Sequence, residues 1–305
     1  MKRIPPAIAI LAAIILALLL VPAVARRWPE ITGAVRTGIA YGPDPNQVLD
    51  VCVPRRPSGS ARPALLMVHG GTWRSGGRKD WFEACRRAAK AGVVGIEIDY
   101  RLVDGTANHA WPAQLADAQL AMRWVRAHAG DYGIDPDHVC AIGDSAGGQL
   151  AVFLAALNKP VDGDYAAQLP DISPQANCAV DWFGPVDLSG YLERWAPMQS
   201  MFAGVAPADY AEAERRASPL FAVGPHTAPI LITHGAADRI VPIRQSEALR
   251  DALTRNGVPT RLQVFLGGHE FADDDDERPA YTDAAIAFTK DPVGFLKNPR
   301  PPGAD

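Results

Sequence analysis

A serine, an acid and a histidine stand in this chain where they can act on one another. Ser145 lies in Gly143-Asp144-Ser145-Ala146-Gly147, inside CAIGDSAGGQLAVFLAAL, a stretch that starts as an apolar strand and ends as a helix. A strand that reverses directly into a helix strains the turning residue and excludes bulk from its neighbours, so these residues read as a nucleophile elbow. Taken alone, they fit a tight turn with an incidental serine equally well. A hydroxyl is a weak nucleophile until an imidazole takes its proton, and the imidazole needs a carboxylate to set its tautomer. Asp238 in HGAADRIVP and His269 in GGHEF each follow an apolar run, in the order Ser, Asp, His expected of such a site. An oxyanion formed at the attacked carbonyl needs backbone N–H donors. In HGGTW, His69 to Trp73, Gly70 and Gly71 leave the backbone bare, and Ala146 adds a donor at the start of its helix. The predicted oxyanion hole is therefore Gly70, Gly71 and Ala146.

Those positions are useful only if the elements between them bring them together. VLDVCVP, ALLMVHGG, VVGIEIDY, HVCAIGDS, CAVDWFGP, PILITHGAAD and RLQVFLGGH are short apolar runs, each closed by glycine, proline or a polar turn. Helical patterns lie between most of them. Trp111, Leu115, Ala118, Met122 and Val125 recur at helical spacing behind Pro112, and QSEALRDALTRNG stops at Gly257. Alternating strands and helices predict a mostly parallel central sheet with helices on both faces, and sites on such sheets form at the carboxyl ends of the strands. Residues 26–305 read as one α/β domain, with an insertion at about 189–217 whose Trp195, Met198, Met201 and Phe202 either form a small lid or pack the insertion down.

Composition sets further bounds. The 305 residues are 48% hydrophobic, enough for a full globular core, and the net charge of −4 offers no basic field for nucleic acid. Lys2 and Arg3, the apolar run Ile8 to Val21 and the Ala23-Val24-Ala25 site resemble a secretory signal peptide at 1–25; an uncleaved membrane anchor is the alternative. Either places the folded part outside the cytoplasm, in the periplasm or secreted, with membrane contact only if the segment stays. Of the four cysteines, Cys52 and Cys85 can bridge, whereas Cys140 and Cys178 lie in apolar strands where a thiol often serves as a small hydrophobe. No cysteine has metal-ligand spacing, and the acidic run Asp273 to Glu277 reads as a solvated loop. No metal is expected.

Taken together, HGGTW, DYRL, the stretch from Trp111 to Ala151, FGPVDL, SPL, the stretch from Ile230 to Leu253, and GGHEF resemble the α/β-hydrolase esterases. The resemblance runs from about Val48 to Phe271. It is nearest to the bifunctional acetylxylan and feruloyl esterases, close to the hormone-sensitive lipase branch. It implies an α/β-hydrolase fold and a serine carboxylesterase without cofactor, acting on small-molecule or carbohydrate esters with short or medium acyl groups. Ser145 would be the nucleophile, His269 the base and acid, and Asp238 its orienter. An amide hydrolase on the same fold and a silent binding scaffold are the rival readings. Relatives commonly carry a third glycine where this chain has Thr72, which changes the loop or adds a hydroxyl to the acyl pocket. Trp73 either walls that pocket or packs. Arg101, in DYRL, is expected to be structural, and Glu270 is expected to be solvated.

Overall fold

A computed structural model describes residues 34–55, 59–161, 168–191, 197–271 and 277–298. The predicted signal segment, Trp195 and Asp273 to Asp276 lie outside the described residues, as does the side chain of Met198. Among the described residues, no helix is long and apolar enough to cross a membrane.

The expected sheet is present, with eight strands among the described residues: β1 (Val35–Ala40), β2 (Val48–Cys52), β3 (Arg62–Val68), β4 (Val94–Ile98), β5 (Ile134–Asp144), β6 (Ala179–Trp182), β7 (Ile230–Gly235) and β8 (Thr260–Phe265). Their order is β1-β2-β4-β3-β5-β6-β7-β8. β2 runs antiparallel to both its neighbours, and every pair from β4 to β8 is parallel. The antiparallel β1 was not expected. Its sequence, VRTGIA, has no apolar alternation because it is an edge strand with most side chains exposed.

The central strands are almost wholly buried and mainly apolar, Glu97 of β4 and Asp181 of β6 excepted, because both of their faces are covered. Leu66 and Val68 of β3 join one core cluster; Leu65 and Met67, pointing the other way, join a second. The first cluster is closed by α2 (Ala113–Ala127), α3 (Ala146–Ala156) and α5 (Arg244–Arg255) through Leu115, Leu150 and Leu249. The second is closed by α1 (Phe82–Lys90) and α6 (Glu277–Lys290) through Cys85, Ala285 and Phe288. α4 (Tyr210–Arg216), in the insertion, stands apart from both and packs against a third cluster that holds Trp73, Met201 and Phe202.

The chain crosses from β3 through α1 to β4, then returns through α2 to β5 on the other side of β3. Strand order therefore reverses between β3 and β5, which opens a crevice beyond their carboxyl ends. HGGTW leaves β3 on one side of that crevice, and Ser145 leaves β5 on the other.

The cysteines correct one expectation. Cys52 pairs with Cys85 as foreseen, but Cys140 and Cys178 are also disulfide-bonded, with Cα atoms 4.6 Å apart. Cys140 lies within β5 and Cys178 directly precedes the neighbouring strand β6, where Ala141 pairs with Ala179, so the two side chains meet inside the second core cluster. The DYRL turn is structural as read: buried Arg101 grips buried Asp117 through Nε and Nη2, the latter at 2.7 Å from Oδ1.

Candidate active site

Ser145 occupies the sharp turn between β5 and α3 with φ 50° and ψ −117°, a conformation that favours glycine. The surroundings hold it there. Its N–H donates to the Trp182 carbonyl at 2.8 Å, and a Cβ at Gly147 would lie 2.0 Å from the Val68 carbonyl oxygen. The small residues of the elbow are thus explained by the close approach of β3.

His269 Nε2 lies 3.0 Å from Ser145 Oγ, and His269 Nδ1 lies 2.6 Å from Asp238 Oδ2. A carboxylate only accepts, so Nδ1 carries the proton and Nε2 is left to accept the serine hydroxyl. All three side chains are buried. Residues 145, 238 and 269, distant in the chain, thus form one hydrogen-bonded line. Asp238 Oδ1 also accepts the N–H groups of Ile240 and Val241, at 2.8 and 2.9 Å. Burial pushes the Asp238 carboxyl up, but hydrogen bonds from His234, His269 and Val241 hold it well below the usual carboxylate range.

His234 was missed in the sequence. It is fully buried four residues before Asp238, and its Nε2 lies 3.4 Å from Asp238 Oδ2. That nitrogen donates to the Val241 carbonyl at 2.8 Å, while Nδ1 faces the Ser246 hydroxyl at 2.6 Å. Its place in THGAAD, at the end of β7, was the available signal.

The oxyanion loop departs from expectation at Gly70. The Gly70 N–H donates to Asp144 Oδ1 at 3.0 Å, so it is not free for an acyl oxygen. Gly71, at φ 100°, and Ala146 show no protein acceptor for their N–H groups among the described residues. Thr72 follows at φ 53° and Trp73 at φ 59°, so the loop holds two non-glycine residues in the left-handed region. A glycine at position 72 would relieve that strain. His69 anchors the other end of the loop: its Nδ1–H donates to the Gly70 carbonyl, its ring stacks on Tyr100, and burial lowers its pKa.

Trp73 is buried beside Ala146, Val103, Leu188, Met201 and Phe202, so Met201 and Phe202 of the insertion pack onto the loop. Gln149 of α3 ties the group together, accepting from Trp73 Nε1 at 2.9 Å and donating to the Ala217 carbonyl at 2.6 Å. On the other side of the loop is a polar cleft of about 400 Å3, lined by Gly70, Gly71, Asp80, Asp144, Glu270 and Arg278 among others. Glu270 is solvent-exposed, as expected, but it also contributes a negative charge near Asp144. Among the described residues, no group of three or more acidic, histidine or cysteine side chains is arranged to hold a metal ion.

The chain and its fold have known counterparts. Esterase LipC of Mycobacterium tuberculosis (strain ATCC 25618 / H37Rv) is 32% identical over 86% of this chain and 68% of its own length. The chain spans only 44% and 56% of two further curated relatives from the same strain. A truncated carbohydrate esterase from gut microbiota superposes with a TM-score of 0.72 at 25% identity, over 88% of this chain and 99% of that one. An esterase of the planctomycete Thermogutta terrifontis gives 0.70 at 25% identity, over 92% and 98%. The BD-FAE family model matches residues 49–253, most of the described sheet and both sides of the crevice. The chain belongs to the BD-FAE family and is an α/β-hydrolase esterase of that type.

Proposed function

We propose that the protein hydrolyses esters of short or medium acyl groups, of the acetyl or feruloyl type, with small or carbohydrate alcohols, through a Ser145-His269-Asp238 triad and an acyl-enzyme. The observation that carries this reading is the unbroken hydrogen-bonded line from Ser145 Oγ through His269 to Asp238. Ser145 Oγ attacks the carbonyl carbon while His269 Nε2 takes its proton, and Asp238 stabilises the imidazolium that forms. The oxyanion accepts hydrogen bonds from the Gly71 and Ala146 N–H groups. As the tetrahedral intermediate collapses, the C–O bond to the alcohol breaks and His269 protonates the leaving oxygen. Water then repeats the sequence on the acyl-enzyme and restores Ser145.

The substrate size follows from the two sides of the loop. Trp73, Met201 and Phe202 close the apolar side with packed side chains, which suits a small acyl group better than a long lipid chain. The polar cleft on the other side suits an alcohol rich in hydroxyls. One structural neighbour is a carbohydrate esterase, which agrees with that division. Export to the periplasm or medium is part of the same reading, supported by two disulfides, which persist in oxidising compartments.

The test is kcat/KM on p-nitrophenyl acetate, butyrate, octanoate and ferulate esters for the protein and Ser145→Ala. Serine-dependent turnover falling from acetate to octanoate is expected. Turnover unchanged in Ser145→Ala, or none in folded protein that also resists fluorophosphonate labelling, would sink the proposal.

A further inference from the structure

We infer that Asp144, the residue before the nucleophile, is a positioning residue that builds the oxyanion hole by clamping the loop after β3 to the end of β5; this rests on the serine-esterase reading above. Its carboxylate reaches across the crevice. Oδ1 accepts the Gly70 N–H at 3.0 Å and the indole Nε1–H of Trp81 at 3.2 Å. Trp81 is itself held, buried and stacked on Trp182 with ring centroids 5.1 Å apart. One oxygen thereby joins three segments: the oxyanion loop, the turn before α1 and the elbow.

The fit between loop and carboxylate is close. A Cβ on Gly70 would lie 2.6 Å from Asp144 Oδ2 and 2.9 Å from the Asp144 carbonyl oxygen, so only glycine allows the loop to seat on the acid. With the Gly70 N–H directed into this contact, the chain turns through the positive φ of Gly71, Thr72 and Trp73, and the Gly71 N–H has no protein acceptor among the described residues. Arg74 and Ser75 N–H both return to the Gly71 carbonyl at 3.0 Å, which fixes the peptide beyond. The groups facing the carboxylate from the packed elements are Arg278 of α6, Glu270 of the histidine loop, and Asp80 beside Trp81. None of the three displaces the two neutral donors. The carboxylate never touches the reacting atoms in this arrangement; its effect passes through the loop.

The experiment compares the full chain with Asp144→Leu, Asp144→Asn and Gly70→Ala. It measures kcat and KM on p-nitrophenyl acetate and the inhibition constant of an aryl trifluoromethyl ketone, whose adduct with Ser145 places an oxyanion in the hole. Asparagine keeps an acceptor oxygen for both donors, and leucine keeps the volume without it. Asp144→Leu is expected to lower kcat about 100-fold, the cost of a lost oxyanion donor, with KM within about threefold and ketone affinity weakened in step with kcat. Asp144→Asn should restore both to within about threefold. Gly70→Ala, which pushes the loop off an intact acid, should behave as Asp144→Leu and decides the matter if the leucine variant does not fold. Wild-type ketone affinity in Gly70→Ala, or an asparagine variant as impaired as leucine, would overturn the inference while Ser145-dependent turnover by the parent still upholds the esterase reading. A parent without Ser145-dependent turnover would bring down that reading itself.

Discussion

Two carboxylates, buried Asp238 and half-buried Asp144, flank the serine, and their surroundings treat them oppositely. Asp238 accepts two backbone N–H groups and the His269 Nδ1–H, with His234 close by. Burial pushes its carboxyl up, yet these partners hold it far down and ionised. Asp144 accepts from one backbone N–H and one indole, both neutral. Burial raises it to about 6, with Arg278 pulling it down and Glu270 pushing it up. Burial alone therefore does not set the state of an acid; the number and charge of its donors do. The site uses the difference. In the proposed reaction one acid would stabilise the positive charge that forms on His269, and the other would hold a loop in place.

The largest effect should come from removing the atom both acids serve. Ser145→Ala is expected to lower kcat by about 10^6-fold, as removal of a serine nucleophile does in other triads. A loss of less than tenfold in a pure preparation would show that the hydrolysis runs elsewhere.

The contrast between the acids is sharpest in matched amide substitutions. Asp238→Asn should cost about 10^4-fold in kcat, because the amide can hold His269 in the wrong tautomer. Asp144→Asn should stay within about threefold. Equal losses in steady-state kinetics would break the comparison.

Stability separates the regions next. Replacing Cys140 and Cys178 together by alanine removes a link across 38 residues far from the catalytic line, and should cost about 2 to 4 kcal/mol in denaturant unfolding. The esterase rate of the folded fraction should not change. A rate loss as large as the stability loss would mean that the elbow depends on the bond.

The smallest effects are in pH dependence. Glu97 is buried on β4 opposite Asp50 of β2, and neither of its carboxylate oxygens has a hydrogen-bond partner among the described residues. Burial raises it to about 8, and Asp50 adds to the rise. For an acid raised on folding, the native state binds its proton more tightly than the unfolded chain does. Its stability contribution is present below the unfolded pKa near 4.5 and is lost as pH rises through about 8. Glu97→Gln should therefore raise Tm by a few degrees at pH 8.5 and little at pH 4.5. Asp144→Asn should do the same more weakly, over pH 4 to 6. Asp238 has the opposite sign: its contribution is present above the unfolded pKa of 3.8 and disappears as pH falls toward its lowered native value. A Tm gain for Glu97→Gln that is equal at both pH values would contradict the assignment.

Much of the site was legible before any coordinates. The elbow around Ser145 is a local steric pattern, and Asp238 and His269 each stand just past a strand whose apolar run marks its end. The seven apolar runs all became strands. What was misread has a common cause. β1 lacks alternation because it lies at an edge, Cys140 looked like any apolar strand residue, and Gly70 looked like a free donor. The outcome at each depended on a neighbour from another part of the chain. His234 is a milder case, since four residues separate it from Asp238 but its role needs the β7 turn closed.

By itself the sequence determined the alternation of strand and helix, the small-residue elbow and the order of the reactive side chains, because hydrophobic period and steric bulk act between near neighbours. The tertiary structure alone decided that β3 lies between β4 and β5, and hence that Gly70 meets an acid 74 residues away. Which buried donor finds which buried acceptor depends on strand order. That order is set by packing both faces of the sheet at once, which no local stretch of residues encodes.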